Sequence, residues 1–169
     1  MKKDITSREY FRTLNLIYAA QLLAIAVFAG VAYYLINYGN LGPANNDLAV
    51  TFQKVIIIVV PLSLGAGYIM FRMVIHRMDP SAHLKDKMKK YFTANIIRSA
   101  FLEVPGLLVS VAAIITAHVL FLVIVPMILV VFLLFRPTRS VASQELKLSL
   151  EERAMLENPD AIISEAIVA

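Results

Sequence analysis

The chain has no cysteine, which excludes disulfide frameworks, thiolate metal sites and cysteine nucleophiles. Charge is the second shortage. Only 17% of the 169 residues are Asp, Glu, Lys or Arg, against about 25% in ordinary soluble domains. Glycine is scarce as well, with six in the whole chain. No glycine-rich phosphate loop, two-histidine zinc helix or Ser–His–Asp arrangement can be placed. These shortages lead to the expectation of a non-enzymatic protein with no catalytic, cofactor or metal site.

Apolar sequence is what the chain has in abundance: 59% of residues, with a mean hydropathy of +0.73. It is gathered into long runs. The first extends from Leu14 to Tyr38, broken mildly by Asn15, Gln21 and Asn37, and the second from Val55 to about His76. From Ser99 to Phe135 follow 37 residues with one formal charge, Glu103. A helix crosses the hydrocarbon core in about 20 residues, so this stretch reads as two crossings joined by a tight turn near Thr116-Ala117-His118. The expected fold is an all-α membrane protein of four transmembrane helices, with spans near 14–38, 55–76, 97–116 and 119–135. A bundle over 1–136 would then precede a tail over 137–169. A cleaved signal peptide fits the first run poorly, since its apolar stretch is too long and Asp4 and Glu9 precede it.

The basic residues set the orientation, because loops rich in Lys and Arg stay on the cytoplasmic side. Of 16 such residues, only Lys54 falls in an expected outer loop. The rest lie before the first run, around the second connection or in the tail. Both termini are therefore expected to be cytoplasmic, in a bacterial inner membrane. Tyr33, Tyr34 and Tyr38 would sit at the outer interface, and Tyr10 and Tyr91 at the inner one. The net charge of +4 suits anionic lipids at the inner face and not nucleic acid, because it flanks apolar runs and forms no patch within a soluble module.

Between the second and third runs, Leu84, Met88, Tyr91 or Phe92, and Asn95 fall at helical spacing among lysines. After a turn at Asp79-Pro80, Ser81 can cap this amphipathic inner-side extension. In the tail, Arg136-Pro137 should stop a helix, and Ser149 and Glu152 have capping-box spacing. Asp160 would cap a last short helix carrying Ile162, Ile163 and Ile167. Such a tail packs on its own protein or docks a partner.

An internal repeat is also legible. Tyr10-Phe11 precedes the first run and Tyr91-Phe92 the third; Gln21 and Glu103 follow at ten and eleven residues from the phenylalanines. Val60-Pro61 leads to Phe71-Arg72, and Val125-Pro126 to Phe135-Arg136. The expected bundle is thus two related hairpins of the same orientation. Pro61, Pro105 and Pro126 each free a carbonyl four residues back and are expected to kink their helices.

The candidate site residues are Glu103, Gln21, Arg72 and Arg98. Glu103 is the one carboxylate inside a span, and such groups are costly enough to imply a role and a partner. Five residues beyond Arg98, it would sit about 7.5 Å deeper. Arg98 points elsewhere on the helix, so Arg72, Arg12 or Arg136 would be the better partner. His76, His83 and His118 read as interface residues, because His118 lies at the opposite side from the other two.

The stretch from Ile96 to Leu107, with Ala100 and Glu103 in an Ala-x-x-Glu context, resembles the carboxylate-bearing helix of rotary-ATPase proteolipid (c-type) subunits. The resemblance covers roughly Leu62 to Ile115. It implies an ion- or proton-translocating subunit acting through Glu103, with a carboxylate in only one of two duplicated hairpins, as Gln21 opposite Glu103 suggests. The chain departs from that pattern in its few glycines and in placing the carboxylate helix first in its hairpin. The layout is also similar to that of short four-span bacterial membrane proteins, a likeness that implies no activity. The leading expectation is an accessory, scaffold or assembly subunit of a larger membrane complex, associated with other membrane subunits or with copies of itself. A proteolipid-like role for Glu103 is the alternative.

Overall fold

A computed structural model describes residues 2–39, 41–42, 44–79 and 81–167. Pro80, of the expected Asp79-Pro80 turn, lies outside the described residues. In chain order the elements are β1 (Lys2–Thr6), α1 (Ser7–Tyr38), α2 (Asn46–His76), α3 (Leu84–Thr116), a 3-10 turn (Val119–Val123), α4 (Ile124–Leu134), α5 (Arg139–Glu145), α6 (Leu150–Glu157) and β2 (Ile162–Ile167). The chain is mostly helical. Three helices, α1 to α3, are long and apolar enough to cross a membrane, and there are four if the shorter helices after Ala117 count as one span. The chain is accordingly an integral membrane protein.

The helices outrun the apolar sequence that announces them. Helix α1 begins at Ser7, where Thr6 and Glu9 form a reciprocal cap: the Thr6 N–H donates to Glu9 Oε2 and the Glu9 N–H to Thr6 Oγ1, both at 3.3 Å. Helix α2 begins at Asn46, nine residues before the expected start. Asn45 caps it by accepting from the Leu48 N–H at 3.0 Å. Helix α3 begins at Leu84 and includes the expected amphipathic extension from there through Asn95. Ser81 is not its cap; its N–H and hydroxyl both donate to Asp79 Oδ1, at 2.8 and 2.7 Å. A helix of 33 residues measures about 50 Å, well beyond the 30 Å hydrocarbon core, so part of α3 must stand outside it.

Two compact units form. The first gathers the chain up to Tyr18, Ile69–Arg98 and everything from Arg136 on; the second comprises Ala19–Tyr68 and Ser99–Phe135. Helices α1, α2 and α3 each contribute a segment to both.

The first unit has an ordinary hydrophobic core. Tyr10, Phe11 and Leu14 from α1, Phe71 from α2, and Leu84, Met88 and Tyr91 from α3 are buried together with Leu146, Leu148, Leu156 and Ile163 from the tail. The expected spacing on α3 is realised, with Leu84, Met88, Tyr91 and Asn95 all buried. Helix α6 carries the expected capping box at Ser149 and Glu152. The segment after Asp160, expected as a short helix, is instead strand β2, so the fold is not wholly α. It pairs antiparallel with β1, Ile5 opposite Ser164, with an irregularity at Ile5/Thr6. Ile162 and Ile163 favour extended backbone, and six residues form too short a helix to persist without packing. The same segment finishes α1. Its first N–H groups, which no helix can satisfy internally, donate to the tail: Ser7 to the Ala161 carbonyl at 2.9 Å and Arg8 to the Pro159 carbonyl at 3.0 Å.

The second unit inverts the usual distribution. Leu23, Val27, Ile57, Ile58, Leu62, Leu120, Val123, Met127 and Leu134 are all more than half exposed, an outward apolar surface that belongs against lipid. Its 87 residues hold three formal charges, Asp47, Lys54 and Glu103. The inner contacts are close. A Cβ on Gly106 would meet Ile25 Cγ2 at 2.8 Å, so only glycine permits this approach of α3 to α1. Pro105 sits inside α3 and cannot donate to the Phe101 carbonyl. That carbonyl accepts the Ser63 hydroxyl of α2 instead, at 2.6 Å. At the turn after α3 Ala117 adopts φ 55°, and the Asn45 N–H donates to the Thr116 carbonyl at 3.0 Å.

Pro126 does not interrupt a helix. It is the third residue of α4, where an N–H has no helical acceptor to lose. Its ring bars an α-helical bond to Leu122, so Val119–Val123 form a 3-10 turn and the α-helix starts afresh at Ile124. No side chain caps that turn, because the His118 ring is engaged with Asn46 Oδ1 at 3.0 Å.

Candidate functional site

The four residues singled out by sequence divide between the units. Gln21 and Glu103 belong to the second, Arg72 and Arg98 to the first. Glu103 is half-buried on α3, three residues before Gly106. Gln21 lies four residues before Ile25 on α1. Residues three or four apart share a helix face, so both side chains flank the Ile25–Gly106 contact. Gln21 Oε1 is buried without a hydrogen-bond donor among the described residues. The expected ion pair between Glu103 and an arginine is not formed among the described residues: Arg98 turns to Glu145, and the Arg136 Nε donates to Asn15 Oδ1 at 2.9 Å.

Arg98 is the more informative group. Its side chain is 3% exposed, in the last turn of α3 that the first unit contains. One guanidinium nitrogen donates to Asn95 Oδ1 at 2.7 Å and another to Glu145 Oε1 at 3.4 Å. Its face lies over the Phe71 ring, 4.0 Å from the centroid, a stacking that a planar guanidinium allows and an ammonium would not reproduce. Asn95 is held by its own Nδ2, which donates to the Tyr91 carbonyl at 2.8 Å. Sequence placed Asn95 on the inward face without giving it a task; the task is to aim Arg98. Glu145 carried no signal at all, being one acid in a polar tail.

Beyond this buried arginine opens a cleft of about 370 Å³ lined by Arg72, Ile75, His76, Met78, Lys87, Glu145, Leu146 and Lys147. Ligand sites generally begin at about 300 Å³. Two elements supply most of its polar groups. From the last turns of α2 come Arg72 and His76, and from the end of α5 come Glu145 and Lys147. Lys87 projects from α3 and forms a 2.7 Å ion pair with Glu152. Burial raises the proton affinity of Glu152, but hydrogen bonds from Lys87 and from the Ser149 N–H outweigh it and leave the carboxyl below its ordinary pKa.

Lys147 closes α5 in a left-handed conformation, φ 48°. The Leu146 N–H donates to the Ala142 carbonyl at 3.0 Å and the Leu148 N–H to the Ser143 carbonyl at 3.1 Å. This is the helix ending that glycine normally makes. Counting the cleft and the buried pair behind it, Arg72, Lys87, Arg98 and Lys147 face Glu145 and Glu152, a surplus of two positive charges before His76 is considered. The arrangement suits anion recognition. No cluster of three or more His, Asp or Glu side chains able to hold a metal exists among the described residues. Compared with family models, curated proteins and solved structures, the chain matches none.

Proposed function

We propose that this protein is a non-enzymatic accessory, scaffold or assembly subunit of a larger membrane complex, presenting its basic unit at the inner surface of a bacterial cytoplasmic membrane. One observation carries the reading. Every basic residue except Lys54 falls in the first unit, which has a core of its own, while the second unit is apolar outside and almost uncharged. A protein built for chemistry within the membrane would spend polar groups there. This one places them in a compact module with a core of its own, where a partner or an anionic surface can be met. On this reading the chain makes four crossings with both termini inside, arranged as two related hairpins.

Gentle extraction followed by mass spectrometry tests the proposal. Co-purifying membrane subunits, or a defined homo-oligomer, are expected; a lone monomer from every mild detergent would remove its basis.

A second reading has its own support. Glu103 is half-buried without an ion-pair partner among the described residues, and Gln21 offers a buried unsatisfied oxygen at the same helix contact. An ion- or proton-carrying role through Glu103 would show as carbodiimide labelling of a homo-oligomeric ring, abolished by Glu103→Gln.

A further inference from the structure

We propose that the cleft between the ends of α2 and α5 is a binding site for a phosphate group, supplied by an anionic phospholipid headgroup or by a free phosphate compound. This deepens the scaffold reading and rests on it for the placement of the first unit at the inner membrane surface.

Three observations converge. The cleft is of ligand size and carries the positive surplus described above, so it attracts an anion and repels a cation. Both nearby acids have a cationic partner: Glu145 accepts from Arg98 through Oε1, its Oε2 being unbonded among the described residues, and Glu152, behind the cleft, accepts from Lys87. Each is thereby partly neutralised towards an incoming anion. Arg72 and His76 occupy the last turns of a membrane-crossing helix, the level at which lipid phosphates lie. Arg is suited to phosphate because its fork can engage two oxygens at once.

The third observation is Lys147. Its backbone lies where glycine is at ease and a side chain is disfavoured. Folding alone would therefore be served as well or better by glycine. The ammonium at the cleft is the feature that glycine lacks, and an outlier of this kind points to a role for the side chain. The fold accepts strain at one residue and in return holds a cation at the cleft wall.

The test uses the full-length protein in mild detergent, with wild type compared to Lys147→Gly, Arg72→Gln and, as an off-cleft control, Lys89→Gln. Native mass spectrometry measures retention of added phosphatidate against phosphatidylcholine, and calorimetry measures binding of inorganic phosphate. Preferential binding of at least one phosphate probe is expected. Lys147→Gly and Arg72→Gln should each weaken it by about five-fold or more, roughly one lost charge contact. Lys89→Gln should leave it unchanged, and the unfolding temperature of Lys147→Gly should equal or exceed that of wild type. Phosphatidate binding without competition from phosphate assigns the site to lipid; the reverse assigns it to a soluble phosphate compound.

The proposal is overturned if neither probe binds, if Lys147→Gly binds as wild type does, or if Lys89→Gln weakens binding equally. A monomeric protein that still binds through the cleft would end the scaffold reading alone. An intact complex whose cleft variants bind normally would end this inference alone.

Discussion

Ser63 and Pro105 show how single residues hold membrane helices together where hydrophobic burial gives little preference for one neighbour over another. Pro105 leaves the Phe101 carbonyl without a helical donor, and the Ser63 hydroxyl fills the vacancy from α2. In hydrocarbon such a bond is worth on the order of 1 kcal/mol. Ser63→Ala should lower stability by about that amount in lipid or bicelles. In a Pro105→Ala background the restored N–H of residue 105 can serve Phe101, and the same Ser63→Ala change should then cost little. Equal costs in both backgrounds would show that the hydroxyl is not serving the freed carbonyl. Sequence named Pro105 and the freed carbonyl, but not the Ser63 hydroxyl that meets it, because which helix lies beside Phe101 depends on packing that no local pattern encodes.

Glu152 makes a residue-scale prediction in the first unit. Its folded pKa lies below the ordinary value, so the unfolded chain binds the proton more readily and stability must rise with pH through that window. The contribution is fully present above about pH 4.3 and is lost as pH falls toward the lower folded value. Thermal unfolding of wild type and Glu152→Gln should therefore differ at neutral pH, wild type being the more stable. The gap should close as the medium is acidified below about pH 4. A constant gap would mean that the Lys87 pair is not what sets the carboxyl.

At the scale of elements, the two chain ends depend on each other. Strand β2 pairs with β1, and the turn before it supplies the carbonyls that cap α1 at Ser7 and Arg8. The Ser7 hydroxyl also donates to the Leu156 carbonyl at 2.6 Å. Truncation after Asn158 should expose two backbone donors at the start of α1, the Ser7 and Arg8 N–H groups, together with the β1 edge. Hydrogen exchange at the Ser7 and Arg8 amides should accelerate by orders of magnitude, while amides of α3 near Val109, in the second unit, keep their protection. Unchanged exchange at Ser7 and Arg8 would mean that other groups cap α1. The long helices, the Ala117 turn and the α6 capping box were legible because each rests on local signals: apolar length, a break in it, a Ser-x-x-Glu spacing. The Thr6-x-x-Glu9 box was equally local and would have moved the start of α1 from Leu14 to Ser7. Strand β2 was not legible although Ile162 and Ile163 favour extended backbone, because a strand needs a partner and that partner, β1, lies at the far end of the chain. The cleft was invisible for the same reason: Glu145 and Lys147 become partners of Arg98 and neighbours of Arg72 only once the tail folds back.

For the whole molecule, charge and apolarity are sorted more sharply than in either helix or loop taken alone. Fifteen of sixteen basic residues lie in one unit, and the apolar surface that must meet lipid lies in the other. Moving a Lys or Arg into the bilayer centre costs about 2.5–3.5 kcal/mol even on insertion scales, so inserting the chain the other way round would require carrying a dozen or more such charges across. The orientation is therefore expected to be single and the first unit cytoplasmic. Absence of cysteine makes this directly measurable. Ser140→Cys, in α5 of the basic unit, should react with a membrane-impermeant maleimide only after the cells are opened. Leu41→Cys, between α1 and α2 and exposed, should react in intact cells. Labelling of both positions from outside would require an even number of crossings between them, and with it three membrane helices in place of four. Labelling of neither would put both on the inner side and refute the assignment of the tyrosine-rich end of α1 to the outer surface. The experiment thus decides whether the 3-10 turn and α4, too short by themselves for a comfortable crossing, complete a second hairpin and return the chain to the side where α5, α6 and β2 close the basic unit.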